Sequence, residues 1–226
     1  MTKRDTPVLL ITTAEELYGR HGVDAVSLRQ IAEAAGQRNP AVVQYHFSTK
    51  QGLMRAIVEH RTFEPNRRRN EMLDELEAEG RLGDVQALLQ CAVYPLVEQL
   101  PEYANFLRFM DQAHANHELS DIMWTLDDEH GSANRRMGRY LLDVMGDAPL
   151  AIKVNRLQIG FQLLLQALAM QVTKEQSGDE GILPNEVFYA DMINAVSAFL
   201  MAPAPAIGTT DAAEAAAATA PVVTNT

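Results

Sequence analysis

The chain lacks the features that define several classes of protein. Its 226 residues include a single cysteine, Cys91, which excludes an intrachain disulfide framework and is typical of a reducing compartment. The most apolar stretch, residues 159–170, is interrupted by two glutamines and is shorter than the roughly 20 residues that span a bilayer. The first thirty residues do not combine a basic start, an apolar run and a cleavage site, as a secretory signal does. We therefore expect a cytoplasmic protein without a membrane segment.

Sequence motifs for catalysis are missing as well. The chain has no glycine-rich phosphate loop, nucleophile elbow or histidine–carboxylate constellation. His114, His117 and Glu118 have the spacing of one helical turn, but no second ligand motif accompanies them. We interpret these three residues as surface side chains and expect no enzyme activity, no cofactor and no bound metal.

Alternating strand patterns are also missing, whereas helical periodicity runs through most of the chain, so we predict an all-α fold. Caps and breakers mark four helices in the first sixty residues: one from Thr6-Pro7 to Gly22, one from Ser27 to Gly36 with a capping box of Ser27 and Gln30, one from Pro40 to His46 behind a cap at Asn39, and one that opens at Ser48 with Gln51. Longer helices are predicted beyond Pro65 at residues 67–79, 84–100, 102–116, 119–145, 150–174 and 185–201.

Charge is distributed unevenly along the chain. The formal net charge is −11. Residues 1–61 carry eight Lys or Arg and six Asp or Glu, a net charge of +2, which leaves −13 for the remainder. This asymmetry indicates that only the first segment contacts a polyanion and that the acidic remainder is held away from phosphate.

The third predicted helix is too polar to fold by burial. It is preceded by a short helix and a glycine-containing connection, the arrangement of a helix-turn-helix that presents its second helix to the major groove of DNA. Around it lie polar side chains that have no place in a core: Arg38, Asn39, Gln44, Tyr45 and His46. We therefore expect this helix to contact something outside the protein.

Three segments of the first sixty residues resemble the signature of the TetR family of transcriptional regulators. They are VSLRQIAEAAG at residues 26–36, QYHF at 44–47 and KQGL at 50–53. The resemblance covers residues 7–60. It implies an N-terminal three-helix helix-turn-helix DNA-binding domain and a C-terminal helical ligand-binding and dimerisation domain. The eleven positions from Gly36 to Phe47 are one more than the family's commonest pattern, so the base contacted by each residue of 37–43 is left open.

The resemblance also implies individual roles at the DNA. Phosphates would be contacted by Ser27, Tyr45, His46 and Lys50. Base edges would be contacted by Arg29, Arg38, Asn39 and Gln44, and thymine methyl groups by Ala41 and Val42. Solvated helix surface is the alternative for Arg29, and packing in the core is the alternative for Tyr45 and Phe47.

Residues 150–170 are apolar on nearly every side, and the last predicted helix carries apolar residues at helical spacing: Phe188, Met192, Ala195, Val196, Phe199 and Leu200. The resemblance implies that the two C-terminal helices pair with those of a second copy in a four-helix bundle, and burial within one subunit is the alternative. A homodimer formed in this way would bind a pseudo-palindromic operator in double-stranded DNA.

The resemblance further implies a small-molecule effector whose identity the sequence does not give. Nine side chains are candidates for an apolar pocket, and core packing is their alternative role: Phe106, Phe109, Met110, Met123, Trp124, Met137, Tyr140, Phe161 and Leu165. The predicted function is a repressor that a small apolar effector releases from its operator. A helical small-molecule binding protein that does not bind DNA is the alternative, and an enzyme ranks third.

Three parts of the chain follow from these patterns. Residues 1–61 form the predicted DNA-binding domain, and residues 62–201 the predicted effector-binding and dimerisation domain. Residues 202–226 are rich in Ala, Pro and Thr and contain no aromatic residue, so they cannot bury enough apolar area to offset the entropy of ordering. We predict a disordered tail there.

Overall fold

The computed structural model describes residues 6–113, 121–123 and 125–204. All regular structure within these residues is helical, which confirms the predicted all-α fold, and none of the described helices is long and apolar enough to cross a membrane. In chain order the helices are α1 (Thr6–His21), α2 (Leu28–Ala34), α3 (Val42–Phe47), α4 (Lys50–Ala78), α5 (Val85–Val97), α6 (Ala104–Ala113), α7 (Asp128–Val144), α8 (Leu150–Ser177) and α9 (Asn185–Met201).

The first two helices follow their sequence signals. Gly22, with a φ of 83°, follows the end of α1. At the start of α2 the Gln30 amide donates to the Ser27 Oγ at 3.2 Å, and the Ser27 amide donates to the Gln30 Oε1 at 2.8 Å. The predicted capping box is thus confirmed.

The starts of α3 and α4 differ from the prediction. The Asn39 Oδ1 accepts from the Ala41 amide at 3.0 Å, which forms a turn ahead of the helix, and α3 therefore begins at Val42 rather than Pro40. Helix α4 is capped by Thr49, whose Oγ1 accepts from the Gly52 amide at 2.9 Å. Ser48 cannot provide this cap because it ends α3 with a φ of 62°.

The prediction of separate helices before and after Pro65, which implies a break at this residue, is wrong, because α4 continues through Pro65 to Ala78. Pro65 and Asn66 are both buried. The Asn66 side chain donates to the carbonyls of Asp128 and Glu129 and accepts from the Ala133 amide at 2.9 Å, all in the first turns of α7. This tertiary anchoring outweighs the helix-breaking tendency of proline. The proposed domain boundary at residue 61 therefore falls inside a continuous helix.

Helix α5 also contains a proline, Pro95, and a buried arginine compensates for it. Since proline has no amide hydrogen, the Cys91 carbonyl four residues earlier receives no helical hydrogen bond from it. The Arg69 guanidinium donates instead to the carbonyls of Cys91 at 3.2 Å and Ala92 at 3.0 Å. Burial lowers the pKa of Arg69 to about 10.

Helix α7 begins later than the sequence predicted. A single helix was predicted at residues 119–145, but α7 begins only after Asp127, whose Oδ1 accepts from the His130 amide at 3.1 Å and caps it. Helix α9 matches its predicted bounds, and α8 runs three residues longer than predicted. The predictions for His114, His117, Glu118 and the tail beyond residue 204 lie outside the described residues.

Helix α1 lies against α6 at very short range. A Cβ atom placed on Gly19 would lie 3.0 Å from the Asn105 carbonyl oxygen and 3.1 Å from the Arg108 Cβ. Glycine is thus needed at this crossing because any side chain would push the two helices apart. The crossing attaches the helix-turn-helix to the rest of the protein.

A buried ion pair attaches α1 to α4. The Arg61 guanidinium donates to both carboxylate oxygens of Glu15, at 2.7 Å and 3.1 Å, and lies 5.0 Å from the centre of the Tyr103 ring. The Glu15 side chain is 2% exposed. Desolvation by burial raises its pKa, and the hydrogen bond from Arg61 opposes this rise. Burial of an unpaired carboxylate destabilises the folded state, so the buried Glu15 carboxylate depends on its ion pair with Arg61.

We predict that Arg61→Ala lowers the free energy of unfolding by about 3–5 kcal/mol, because it leaves the Glu15 carboxylate buried without its partner. Urea denaturation at neutral pH measures this loss. The loss should shrink as the pH falls, since the folded state holds the Glu15 proton more tightly than the unfolded state does and a protonated carboxyl needs no counterion. Arg67→Ala on the same helix is the matched control, because its ion pairs are exposed and its removal should leave the urea midpoint unchanged. An equal loss in both variants would contradict the prediction.

Candidate nucleic-acid interface

The connection between α2 and α3 lies within the segment that is one residue longer than the family's commonest pattern. Helix α2 is followed by Gly36, which has a φ of 67°, and the Gln37 amide donates back to the Ala32 carbonyl at 2.9 Å. Residues 37–41 form no regular helix before α3 begins. The turn between α2 and α3 thus takes up residues 35–41.

Helix α3 is held by one face. Val43 is completely buried, and Val42 and Phe47 are half-buried against the core. Gly52 fixes the end of α3 on the start of α4, because a Cβ at that position would lie 2.2 Å from the Phe47 carbonyl oxygen. No such role was predicted for Gly52, although a glycine in the first turn of a helix can indicate that another segment of backbone lies close to it.

The opposite face of α3 points into solvent. Gln44, Tyr45 and His46 are exposed, and the Tyr45 ring, packed edge-on against His46, is 83% exposed. Burying a tyrosine ring is favourable, so a ring held in water contributes nothing to this fold. The core alternative therefore fits the half-buried Phe47 and does not fit Tyr45.

Two of the predicted base contacts are engaged within the protein. The Arg29 Nε donates to the Glu33 Oε1 at 2.8 Å, and this exposed pairing raises the pKa of Arg29. The Asn39 oxygen already accepts a hydrogen bond in the turn before α3, so a bidentate contact from Asn39 to adenine must share this oxygen with the Ala41 amide. Arg38 and Ala41 lie exposed in the same turn.

Two of the predicted phosphate contacts, Ser27 and Lys50, lie at helix starts. Ser27 lies at the start of α2, where its Oγ serves the capping box. Lys50 is the first residue of α4 and is half-buried, with its Nζ 5.7 Å from the centre of the Tyr18 ring. The structure thus brings these side chains to the same part of the molecule as α3.

Eight of the nine predicted pocket residues lie in the part of the chain that the structure describes. Phe106, Phe109, Met110 and Met137 are buried in the core, and Met123, Tyr140, Phe161 and Leu165 are half-buried, whereas Trp124 lies outside the described residues. A cleft of about 570 Å³ lies between α1, α6 and α8. A second cleft, of about 500 Å³, lies beside the start of α9. None of the eight described residues lines either cleft.

One group of side chains has the composition of a metal site. Ligand atoms of Asp127, Glu129 and His130 lie within 4.8 Å of one another at the start of α7. The Asp127 carboxylate already caps this helix and contacts the His130 Nδ1 at 2.6 Å. The cluster is explained by helix capping.

Comparison with known proteins agrees with this geometry. The model of the family described as "Bacterial regulatory proteins, tetR family" matches residues 10–57, which span α1 to α3 and the start of α4. No curated protein matches the chain. The crystal structure of AmtR from Mycobacterium smegmatis is 19% identical, covers 98% of this chain and 97% of its own, and has a TM-score of 0.43. Over residues 10–57, where the structure forms a helix-turn-helix, the chain is similar to the tetR family of bacterial regulatory proteins, and this similarity supports a DNA-binding transcriptional regulator.

Proposed function

We propose that this regulator is a repressor that binds a pseudo-palindromic operator as a homodimer and is released by a small apolar effector. The observation that carries the DNA contact is the exposed polar face of α3 opposite its buried anchor Val43. With α3 in the major groove, Gln44 contacts an adenine edge, while Tyr45, His46 and Lys50 contact phosphates.

The short length of α3 supports a dimer. Six residues of helix extend about 9 Å, enough to read only a few base pairs. Two copies related by a two-fold axis double the number of contacts and require half-sites separated by about one helical turn of DNA or a multiple of it.

The hairpin of α8 and α9 offers a surface for the second copy. Exposed apolar side chains follow one face of α8 at Ile159, Leu163 and Met170, and the last of these is 49% exposed. On α9, Val187 is 52% exposed. Large apolar side chains grouped on a surface favour a protein interface, and two such hairpins form a four-helix bundle.

Close packing makes this hairpin rigid. A Cβ atom on Gly160 of α8 would lie 3.2 Å from the Leu200 Cδ2 and 3.3 Å from the Val196 Cγ1 of α9. The two helices are therefore in close contact before any partner binds, so little conformational entropy is lost on association.

The effector site is proposed at the half-buried edge of the aromatic and methionine-rich core. Tyr140, Phe161 and Leu165 are half-buried against this core, which also contains Phe109 and Met110 of α6. An apolar ligand inserted among them separates side chains that now pack together, and methionine adapts readily to such a change. Because α6 packs against α1 at Gly19, a conformer that the effector favours differs in the placement of the DNA-binding helices.

We expect operator binding to be specific and sensitive to salt. Fluorescence anisotropy with the DNA upstream of the gene, and scrambled DNA as the control, should show tighter binding to the former that weakens as salt rises. Gln44→Ala should relax the preference at one operator position by about 1–3 kcal/mol. Equal affinity of the folded dimer for both DNAs would contradict the proposal.

The dimer interface has its own test. Leu163→Glu places a charge in the proposed apolar contact and should convert the dimer to a monomer in analytical ultracentrifugation. Val8→Glu is the control, because Val8 is similarly exposed but lies on α1. A dimer that survives Leu163→Glu unchanged would locate the interface elsewhere.

Effector and operator DNA should each lower the affinity of the protein for the other. A compound that binds the core should raise the melting temperature of the protein and lower its affinity for the operator. By thermodynamic linkage, saturating operator DNA should then lower the affinity for the compound by the same factor. A compound that raises the melting temperature while operator affinity stays constant is not the effector, and failure of every apolar ligand tested to change operator affinity would argue against release by this class.

A further inference from the structure

We propose that Tyr18 is a positioning residue for DNA binding, in which its buried ring holds the ammonium group of Lys50 at the phosphate contact. The inference rests on the proposed function, because it takes the contact between Lys50 and a phosphate from it. Tyr18 itself reaches no DNA, since it is completely buried.

The contact between the two side chains has the geometry of a cation–π interaction. The Lys50 Nζ lies 5.7 Å from the centre of the Tyr18 ring, within the range of about 6 Å over which the ring attracts a cation. Lysine has four flexible side-chain torsions and loses much of that freedom when it binds a phosphate. A ring that already restrains the side chain reduces this entropic cost, so binding is tighter.

The Tyr18 ring is also packed against an aromatic residue of α6. Phe109 of α6 stacks on Tyr18 with ring centres 6.0 Å apart and planes inclined by 27°. The next residue in α1, Gly19, makes the close contact with α6 at Asn105 and Arg108. Tyr18 therefore cannot shift without opening the α1–α6 crossing, and this rigidity allows it to position Lys50.

The hydroxyl group of Tyr18 is not the source of its role. Among the described residues it has no hydrogen-bond partner, although it is buried. Because the face of a phenylalanine ring also attracts cations, Tyr18→Phe should preserve the positioning. Tyr18→Leu keeps an apolar side chain but removes the ring. The two variants therefore separate the aromatic face from simple filling of the core.

The first experiment observes the contact directly. The chain has four lysines, Lys3, Lys50, Lys153 and Lys174, so reductive ¹³C-methylation gives few signals, and Lys50→Arg identifies that of Lys50. In the wild-type protein the Lys50 methyl signal should be shifted upfield by the ring current of Tyr18. The shift should persist in Tyr18→Phe and disappear in Tyr18→Leu. A wild-type signal at the position of a solvated lysine would overturn the proposal, even if Tyr18→Leu fails to fold.

The second experiment links the contact to DNA by a double-mutant cycle. Lys50→Ala should lower the slope of log affinity against log salt by about one. Tyr18→Leu should weaken operator binding severalfold when Lys50 is present and have no further effect in the Lys50→Ala background. Tyr18→Phe should bind as the wild type does.

The outcomes distinguish the phosphate contact of Lys50 from the positioning role of Tyr18. An unchanged salt slope in Lys50→Ala would contradict the proposed phosphate contact and, with it, the positioning role in DNA binding. A reduced slope together with equal losses for Tyr18→Leu in both backgrounds would leave the phosphate contact in place and overturn the positioning role, because a purely structural effect does not depend on Lys50.

Discussion

The close crossing of α1 and α6 at Gly19 is the constraint on which the rest of the structure depends. It fixes α1 on the body of the protein, and the buried pair of Glu15 and Arg61 then fixes α4 on α1. Helix α3 has only a short apolar anchor of its own around Val43, so its position is set by these two longer helices. The exposed reading surface is therefore small, and the contacts that orient it lie mostly outside it.

The internal pairing of charges explains how an acidic protein can bind a polyanion. Several arginines beyond residue 61 form ion pairs with carboxylates of the same chain. Arg136 donates to Asp74 at 2.7 Å, and Arg81 donates to Asp84 at 2.9 Å. These residues are thereby engaged away from the helix-turn-helix. The excess negative charge of residues 62–226 repels phosphate, which favours the approach of DNA through residues 1–61.

Local signals in the sequence predicted much of the fold because their causes are local. The capping box of Ser27 and Gln30 and the bounds of α9 depend on neighbouring residues and were confirmed. The predicted break at Pro65 was wrong because Asn66 anchors α4 to α7, a contact that links residues more than sixty positions apart. The exposed face of α3 followed from its polarity, whereas the contact of Lys50 with Tyr18 depends on how α4 crosses α1, which no periodicity encodes.

The position of Phe109 connects the two halves of the proposed function. Its side chain belongs to the aromatic core in which the effector is proposed to bind, and its ring stacks on Tyr18, which lies under Lys50. A ligand that alters the packing of α6 thus acts close to Lys50, the proposed phosphate contact, because Tyr18 contacts both Phe109 and Lys50. Because side chains in a protein interior are densely packed, a displacement of Phe109 is passed to the Tyr18 ring on which it stacks. Coupling between effector and operator then requires only two packing states of the α1–α6 crossing that differ in their affinity for each ligand.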